Sequence, residues 1–371
     1  MNDILGTLSS WFDDGRQIAL ATVVAVEFSA PRDPGASMAV NERGEVAGSV
    51  SGGCVEGAVY EEAQDVLQSG RPRLVTYGIS DEAAISVGLT CGGTIHVFIE
   101  RLDEAVFRRI ARSIVADAPI ALVTRLDGRA AGAKRIVDAS EAKGALGSEG
   151  LDYSATGEAR ALLAAGETEI RTLGEAGEPT GLDVRLFIQS FAPKPNMYVF
   201  GAVDFSRAMV HVGQDLGYRV TVVDARPVFA TRQRFPQADD VVVAWPDEFL
   251  RAAPVDERTV IIVLTHDPKF DIPVLQVALE TPAAFIGAMG SRRTHAERVA
   301  GLKEAGIEDD RLARISAPVG LDIGARTPEE TAISIAAEIV ALRTGRSGGR
   351  LTGGTNPVHG SLRPTVATGV R

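Results

Sequence analysis

The first hundred residues show apolar positions at helix spacing and at strand spacing in turn. Apolar side chains three and four positions apart predict a helix over residues 2–14, and a β-branched run predicts a strand over 17–28. Segments 36–40 and 45–50 flank a polar turn and predict a hairpin, and residues 54–68 again have helical spacing. Two further strands are predicted, at 73–77 and 94–100. We therefore predict an N-terminal α+β domain over residues 1–102.

From residue 197 onwards the pattern alternates short apolar strands with amphipathic helices. Strands are predicted at 198–202, 219–224, 240–244, 260–264 and 283–286. Helices are predicted at 205–216, 272–280, 292–305 and 328–343. This order is typical of a Rossmann-like, doubly wound parallel sheet, in which ligands bind at the carboxyl ends of the strands. The fold class is α/β, with this C-terminal domain over residues 196–345.

Residues 103–195 are predicted to form a connecting α/β segment. A helix at 104–116 and a strand at 120–124 open it, but residues 138–183 contain ten acidic residues against three basic ones. That composition indicates surface hairpins or a poorly ordered acidic connector. Two prolines in residues 191–196 mark the hinge to the next domain. The Gly-rich residues 346–371 lack acids and predict a flexible basic tail.

Charge and cysteine content exclude several classes of protein. The 371 residues carry a net charge of −11, so a broad cationic surface for nucleic acid or anionic lipid is not expected. The sequence shows neither a basic leader region nor an apolar run near the ~18 residues of a membrane helix, and we expect a cytoplasmic protein. Two cysteines can form neither a disulfide scaffold nor a cluster bound by four thiolates.

Both cysteines lie among glycines. Cys54 follows Gly52 and Gly53 at the predicted start of a helix, where the helix dipole lowers a thiol pKa below its usual value of about 8.5. Cys91, in GLTCGG, has equally small neighbours. If the fold brings the two thiols together, they could share a soft metal, relay sulfur or form a reversible disulfide. Burial of both as small apolar side chains is the alternative.

A dinucleotide-like turn opens the C-terminal domain. Gly201 follows a strand, and Asp224 ends the next strand 23 positions later, close to the ~20 expected for an acid that binds a ribose. Val203 and Ser206 occupy the positions of the second and third fingerprint glycines. A valine there is expected to obstruct a pyrophosphate. The pattern predicts the fold, but it does not decide whether a nicotinamide nucleotide binds.

Three later loops predict an anionic ligand. One of them, APVGLDIGARTP with Asp322 and Arg326, lies ahead of the last helix and taken alone is only a loop, whereas the other two follow strands. LTHDPKFD follows a strand and carries His266. FIGAMGSRR ends another strand and opens a helix, with backbone N–H groups and positive charge suited to a phosphate. Its candidate binding residues are Gly287, Gly290, Ser291 and Arg292. A capped helix with solvated arginines is the alternative.

Several long motifs together resemble one family. APRDPGASMAV, GSVSGGCVEGAVYEEA and GLTCGG are similar to the N-terminal domain of the xanthine dehydrogenase accessory (XdhC/CoxI) proteins. LTHDPKFDIPVL, IGAMGSRRTHAER and APVGLDIGARTPEETAISIAAEIVA are similar to the C-terminal Rossmann-like domain of that family. The resemblance covers residues 14–100 and 196–360.

The resemblance implies a maturation factor rather than a dehydrogenase. Such a protein binds molybdenum cofactor, protects it while a cysteine desulfurase supplies the sulfido ligand, and passes it to the large subunit of a xanthine or carbon monoxide dehydrogenase-type hydroxylase. Cys54 would then contact molybdenum or relay sulfur, with Cys91 as its partner. The residues expected to face the cofactor or an attached nucleotide are Gly52, Gly53, Gly201, Asp224, His266, Gly287, Gly290, Ser291 and Arg292.

Two alternatives remain from the residues themselves. An NAD(P)-linked oxidoreductase would use Asp224 for the ribose and His266 as acid or base. Modification of the pterin by nucleotidyl transfer is the other, although no pair of metal-binding acids demands it. The enzyme served and the oligomeric state stay open, with a homodimer as one possibility.

Overall fold

A computed structural model describes residues 1–27, 31–78, 93–180 and 183–352 of the chain. The fold divides into two compact units, the first running from Met1 to Pro193 and the second beginning at Lys194. Among the described residues, no helix has both the length and the apolarity needed to cross a bilayer.

The first unit begins with an antiparallel five-stranded sheet. Its strands are β1 (Ile18–Glu27), β2 (Ser37–Asn41), β3 (Val46–Gly48), β4 (Arg73–Tyr77) and β5 (Thr94–Arg101), in the order β3-β2-β1-β5-β4. The predicted hairpin and the predicted strand pair are both confirmed. Helix α1 (Leu5–Asp13) precedes the sheet.

Helix α2 (Glu56–Ser69) covers one face of this sheet. Val59, Ala63 and Val66 recur at helical spacing and are buried against the strands, which explains why an otherwise polar segment folds as a helix here. Gly70 ends the helix with φ +68°, a left-handed conformation that favours glycine. The helix predicted over residues 54–68 is confirmed within two residues at its start.

A second five-stranded antiparallel sheet completes this unit. Its elements are α3 (Glu104–Val115), β6 (Ile120–Arg125), β7 (Lys134–Val137), β8 (Ala142–Lys143), α4 (Glu149–Ala165), β9 (Glu169–Leu173) and β10 (Val184–Phe191), with the strand order β8-β7-β6-β10-β9. The interpretation of residues 138–183 as surface hairpins or a poorly ordered connector is wrong. Leu151, Ala155 and Leu162 of α4 pack into a buried core, and the acidic side chains of that helix lie outside this core.

The second unit is a six-stranded sheet in which every pairing is parallel. Its strands are β11 (Asn196–Phe200), β12 (Arg219–Asp224), β13 (Asp240–Val243), β14 (Val260–Val263), β15 (Phe285–Ala288) and β16 (Ile315–Ser316). Its helices are α5 (Asp204–Asp215), α6 (Pro246–Ala252), α7 (Pro268–Glu280), α8 (Arg292–Glu304), α9 (Asp309–Leu312) and α10 (Pro328–Thr344). Separate apolar cores cover the two faces. The predicted doubly wound α/β fold is confirmed.

The strand order is β13-β12-β11-β14-β15-β16. From β11 the chain adds β12 and β13 on one side and then returns to add β14, β15 and β16 on the other, so the order of strand addition reverses between β11 and β14. In doubly wound sheets, ligands bind at such a reversal, outside the carboxyl ends of the strands. Those ends carry the loops that start at Gly201, Leu264 and Met289. The fold therefore brings the predicted C-terminal site residues to one edge of one sheet, except Gly287, which lies within β15. Residues 353–371 of the predicted tail lie outside the described residues.

Candidate functional site

The loop between β3 and α2 folds around a single carboxylate. Glu56 accepts hydrogen bonds from the hydroxyls of Ser49 and Ser51, each at 2.6 Å. It also accepts from the backbone N–H groups of Val50 at 3.3 Å, Ser51 at 2.9 Å and Gly53 at 2.8 Å. Five donors thus converge on one acid at the start of the helix, and the acid fixes the shape of the loop.

This carboxylate is held in its charged form. Burial alone would raise the pKa of Glu56, but the hydrogen bonds from Ser49 and Ser51 outweigh it and lower the pKa to about 2. Because an unfolded glutamate titrates near pH 4.5, the folded state gains stability from the Glu56 charge above that pH. The gain is lost as the pH falls from about 4.5 towards 2.

We expect Glu56→Gln to lower the free energy of unfolding by about 1–2 kcal/mol at neutral pH, after allowance for solvent screening. The difference from wild type should shrink between pH 4.5 and pH 2, where the wild-type carboxylate becomes protonated. Urea titrations at several pH values measure it. Glu61→Gln, on the exposed face of the same helix, serves as the control. A difference that does not change with pH would contradict the role of the charge.

Cys54 lies at the end of this loop, two residues before α2, and is half-buried. Its backbone N–H donates to Ser51 Oγ at 3.0 Å, and the Gly52 N–H donates to Ser49 Oγ at 2.9 Å. Gly52 and Gly53 are exposed, with φ +77° and +123°, and a Cβ added to either would meet no atom of the described residues within 4 Å. The N–H groups of both glycines are engaged within the loop. Because neither glycine has a side chain and no described atom lies close to where one would be, they leave open space next to Cys54. Cys91 lies outside the described residues.

Gly201 lies at the carboxyl end of β11, where it touches the neighbouring loop. Its φ is +108°, and an added Cβ would come within 2.9 Å of Thr265 Cγ2 and 3.1 Å of the Thr265 backbone nitrogen. The glycine therefore allows the loops after β11 and β14 to approach closely. Val203 precedes α5 directly, and the buried Ser206 donates its hydroxyl to the Gly201 carbonyl. A serine hydrogen bond thus joins helix and turn where the dinucleotide fingerprint has its third glycine.

Asp224, at the end of β12, is buried and already fully engaged. Its carboxylate accepts from the Ala202 N–H at 2.7 Å and the Arg226 N–H at 2.9 Å. The Arg226 guanidinium adds two further bonds, Nε at 2.9 Å and Nη2 at 2.8 Å. Burial raises the pKa of Asp224, but these donors outweigh it and lower the pKa. A ribose hydroxyl could reach this acid only by displacing Arg226.

The remaining predicted residues of this domain differ in their positions. Gly287 lies inside β15 rather than in the turn, and an added Cβ would come within 2.6 Å of Val319 Cγ2. Its bare backbone serves the packing of the sheet. Ser291 caps α8 by accepting from the Thr294 N–H at 3.1 Å, and Arg292 follows it. His266, Ser291 and Arg292 are exposed at the carboxyl edge of the sheet.

A buried ion pair that the sequence did not predict lies beneath these loops. Arg298 of α8 binds Asp271 of α7, with Nη2 at 2.7 Å and Nε at 2.8 Å from Oδ2. Nη2 also donates to the Met289 carbonyl at 2.7 Å and the Thr265 carbonyl at 3.3 Å. The pair therefore ties the loops after β14 and β15 together. No sequence signal marks it, because Arg298 sits in a polar helix like any solvated arginine.

Within the described ranges, no group of three or more His, Cys, Asp or Glu side chains is arranged to hold a metal ion. A metal that arrives bound in an organic cofactor does not require such a group. The described residues thus offer two features. The first unit has a loop that carries the Cys54 thiol next to two exposed glycines, and the second unit has a sheet edge whose exposed Ser291 and Arg292 are compatible with an anion.

Comparisons with known proteins agree across both units. The model of the XdhC and CoxI family matches residues 11–78, and the model of the XdhC Rossmann domain matches residues 197–339. A protein of Bacillus subtilis (strain 168), named as a probable xanthine dehydrogenase subunit, is 29% identical over 343 residues, 91% of this chain and 96% of that protein. The molybdenum cofactor insertion chaperone PaoD of Escherichia coli (strain K12) is 29% identical over 329 residues, 89% and 84% of the two chains.

One solved structure is similar over nearly its whole length. The crystal structure of a xanthine dehydrogenase from Bacillus halodurans aligns with a TM-score of 0.67 and 28% identity, covering 95% of this chain and 98% of that one. The sequence matches and the structural alignment thus both extend over the two units. The chain belongs to the XdhC and CoxI family.

Proposed function

We propose that this chain is a maturation factor that binds molybdenum cofactor and assists its insertion into a xanthine dehydrogenase-type or carbon monoxide dehydrogenase-type hydroxylase. The observation that carries the proposal is the alignment of 89% of the chain with a relative named as a molybdenum cofactor insertion chaperone. The proposed partners are the large subunit of the hydroxylase and a cysteine desulfurase that supplies sulfur to the bound cofactor. The proposal places the chain in the cytoplasm, as a monomer or a homodimer.

The loop that carries Cys54 supports contact with the metal end of such a cofactor. A thiolate is a soft ligand and suits a sulfur-rich molybdenum centre. The open space above Gly52 and Gly53 would let a bulky group approach the thiol, and Glu56 holds the loop in shape without occupying that space. We assign the contact to Cys54 and include Cys91 as the second thiol of the same proposal.

The competing function is that of a nicotinamide-dependent oxidoreductase. The hydrogen bonds of Asp224 do not favour it. The acid expected to bind a ribose is buried and holds Arg226 with two side-chain hydrogen bonds. Val203 stands where a pyrophosphate needs bare backbone. Saturable binding of a nicotinamide nucleotide that is lost in Asp224→Asn would restore this alternative.

Retention of the cofactor tests the proposal. The purified full chain is mixed with isolated molybdenum cofactor and passed through gel filtration, and molybdenum is measured per chain. We expect wild type to retain the metal, Cys54→Ala to lose most of it, and Ser69→Ala, at the far end of α2, to match wild type. Equal retention by Cys54→Ala would remove the thiol from the proposal. No retention by wild type would refute the function.

A further inference from the structure

Arg298 carries a buried nitrogen atom that the described part of the chain leaves unpaired. The residue is only 4% exposed, and its Nε and Nη2 are bound to Asp271 and to the carbonyls of Met289 and Thr265. Nη1 is buried and has no hydrogen-bond partner among the described residues. Buried N–H groups without a partner are rare in folded proteins and call for an explanation.

Nη1 faces the turn that precedes helix α8. A Cβ added to Gly290, whose φ is +154°, would lie 3.1 Å from Nη1 and 3.2 Å from Thr294 Cβ. The glycine therefore keeps the position next to Nη1 clear of side-chain atoms. A small acceptor that entered at this turn would itself be the missing hydrogen-bond partner of Arg298 Nη1.

The upper side of the same turn is arranged for an anion. Helix α8 is 13 residues long and has no acidic residue in its first turn, so the positive end of its dipole is not neutralised there. Ser291, Arg292 and Arg293 are all exposed at this end. First-turn N–H groups point out along the helix axis and bind phosphates in many folds.

We propose that the turn formed by Met289, Gly290 and Ser291, together with the first turn of α8, binds a phosphate group, with Arg298 Nη1 donating to it from below. Asp271 neutralises Arg298, so the buried arginine contributes a directed hydrogen bond, and the exposed Arg292 contributes the attraction. The inference rests on the proposed function for the origin of the phosphate. That origin is either the phosphate of a pterin or the phosphate of an attached nucleotide.

Calorimetric titration of the full chain tests the site with three probes: inorganic pyrophosphate, adenosine diphosphate and adenosine. Both phosphate probes should bind and adenosine should not. Gly290→Ala should weaken the binding of both by about tenfold or more, because the added methyl group fills the position next to Nη1. Gly324→Ala, also at positive φ but with no atom of the described part of the chain within 4 Å of an added Cβ, should bind as wild type does.

The relative affinities identify the source of the phosphate. Equal affinity for pyrophosphate and adenosine diphosphate means that the site binds the phosphate alone, as a pterin phosphate requires. Much tighter binding of adenosine diphosphate means that the site also contacts a nucleoside. Failure of both phosphate probes to bind wild type would overturn the proposal, as would equal affinity in wild type and Gly290→Ala.

Two further measurements keep the test decisive. If Gly290→Ala does not fold, Arg292→Gln, at an exposed position, must weaken pyrophosphate binding severalfold, and unchanged binding would overturn the proposal. Wild type that binds pyrophosphate but retains no molybdenum keeps the phosphate site and refutes the proposed function. Wild type that retains molybdenum but binds neither phosphate probe keeps the proposed function and refutes the phosphate site.

Discussion

Replacing Asp271 by alanine is expected to lower the free energy of unfolding of the C-terminal unit by about 3–5 kcal/mol, because Arg298 would lose its counter-ion while remaining buried. The side chains of the pair are 2% and 4% exposed, and their closest atoms are 2.7 Å apart. Thr265 would also lose the acceptor of its hydroxyl. Urea denaturation followed by circular dichroism and by tryptophan fluorescence measures the loss.

Two comparisons separate the buried charge from other causes. Glu297→Ala removes the partner of Arg293 on the same helix, where both side chains are largely exposed, and should change stability little. The double variant Asp271→Leu with Arg298→Met should recover part of the loss, because no charge is then left buried. A double variant no more stable than Asp271→Ala would show that the unpaired charge is not the cause.

Gly201→Ala is expected to lower the free energy of unfolding by about 1–3 kcal/mol through overpacking, because the added methyl group would come within 3.1 Å of the Thr265 backbone nitrogen. A backbone atom held in a strand-to-helix loop cannot move aside as a flexible side chain can. The loops after β11 and β14 would have to separate, which would also disturb the sheet edge proposed to bind the ligand. Thermal unfolding and urea titration both report the change.

The matched control for this substitution is Gly217→Ala. Gly217 also has a left-handed backbone, with φ +85°, but a Cβ added there would lie more than 4 Å from every atom that the structure describes outside its own chain neighbours. The control therefore carries the conformational strain without the clash. Equal destabilisation of the two variants would contradict the close approach between the Gly201 and Thr265 loops as the cause.

The sheet of the C-terminal unit could be predicted because its strands are buried on both faces. Runs such as Val260–Val263 are continuously apolar and are separated by helices with a clear apolar face. The short elements α6, α9 and β16 were missed because so few residues give no periodicity. The core of α4 was missed for a different reason, since its alanines and leucines are interspersed with acids and glycine.

The sheet edge was predicted at the level of the backbone, but the pairing of its side chains was not. Topology alone takes Gly201, Asp224 and Ser291 to the carboxyl ends of strands. The engagement of Asp224 by Arg226 could not be read from the sequence, because an acid that binds a ribose and an acid that binds an arginine occupy the same position. The closure of the Cys54 loop on Glu56 is likewise a property of backbone conformation.

Transfer of the cofactor tests the central claim most directly. An apo-hydroxylase of the xanthine dehydrogenase type is incubated with the full chain loaded with molybdenum cofactor, or with the same amount of free cofactor, and the hydroxylase activity that appears is measured. We expect the loaded chain to activate the enzyme faster and more completely than free cofactor does. If free cofactor activates the hydroxylase as fast and as completely as the loaded chain does, the result would contradict a role in insertion.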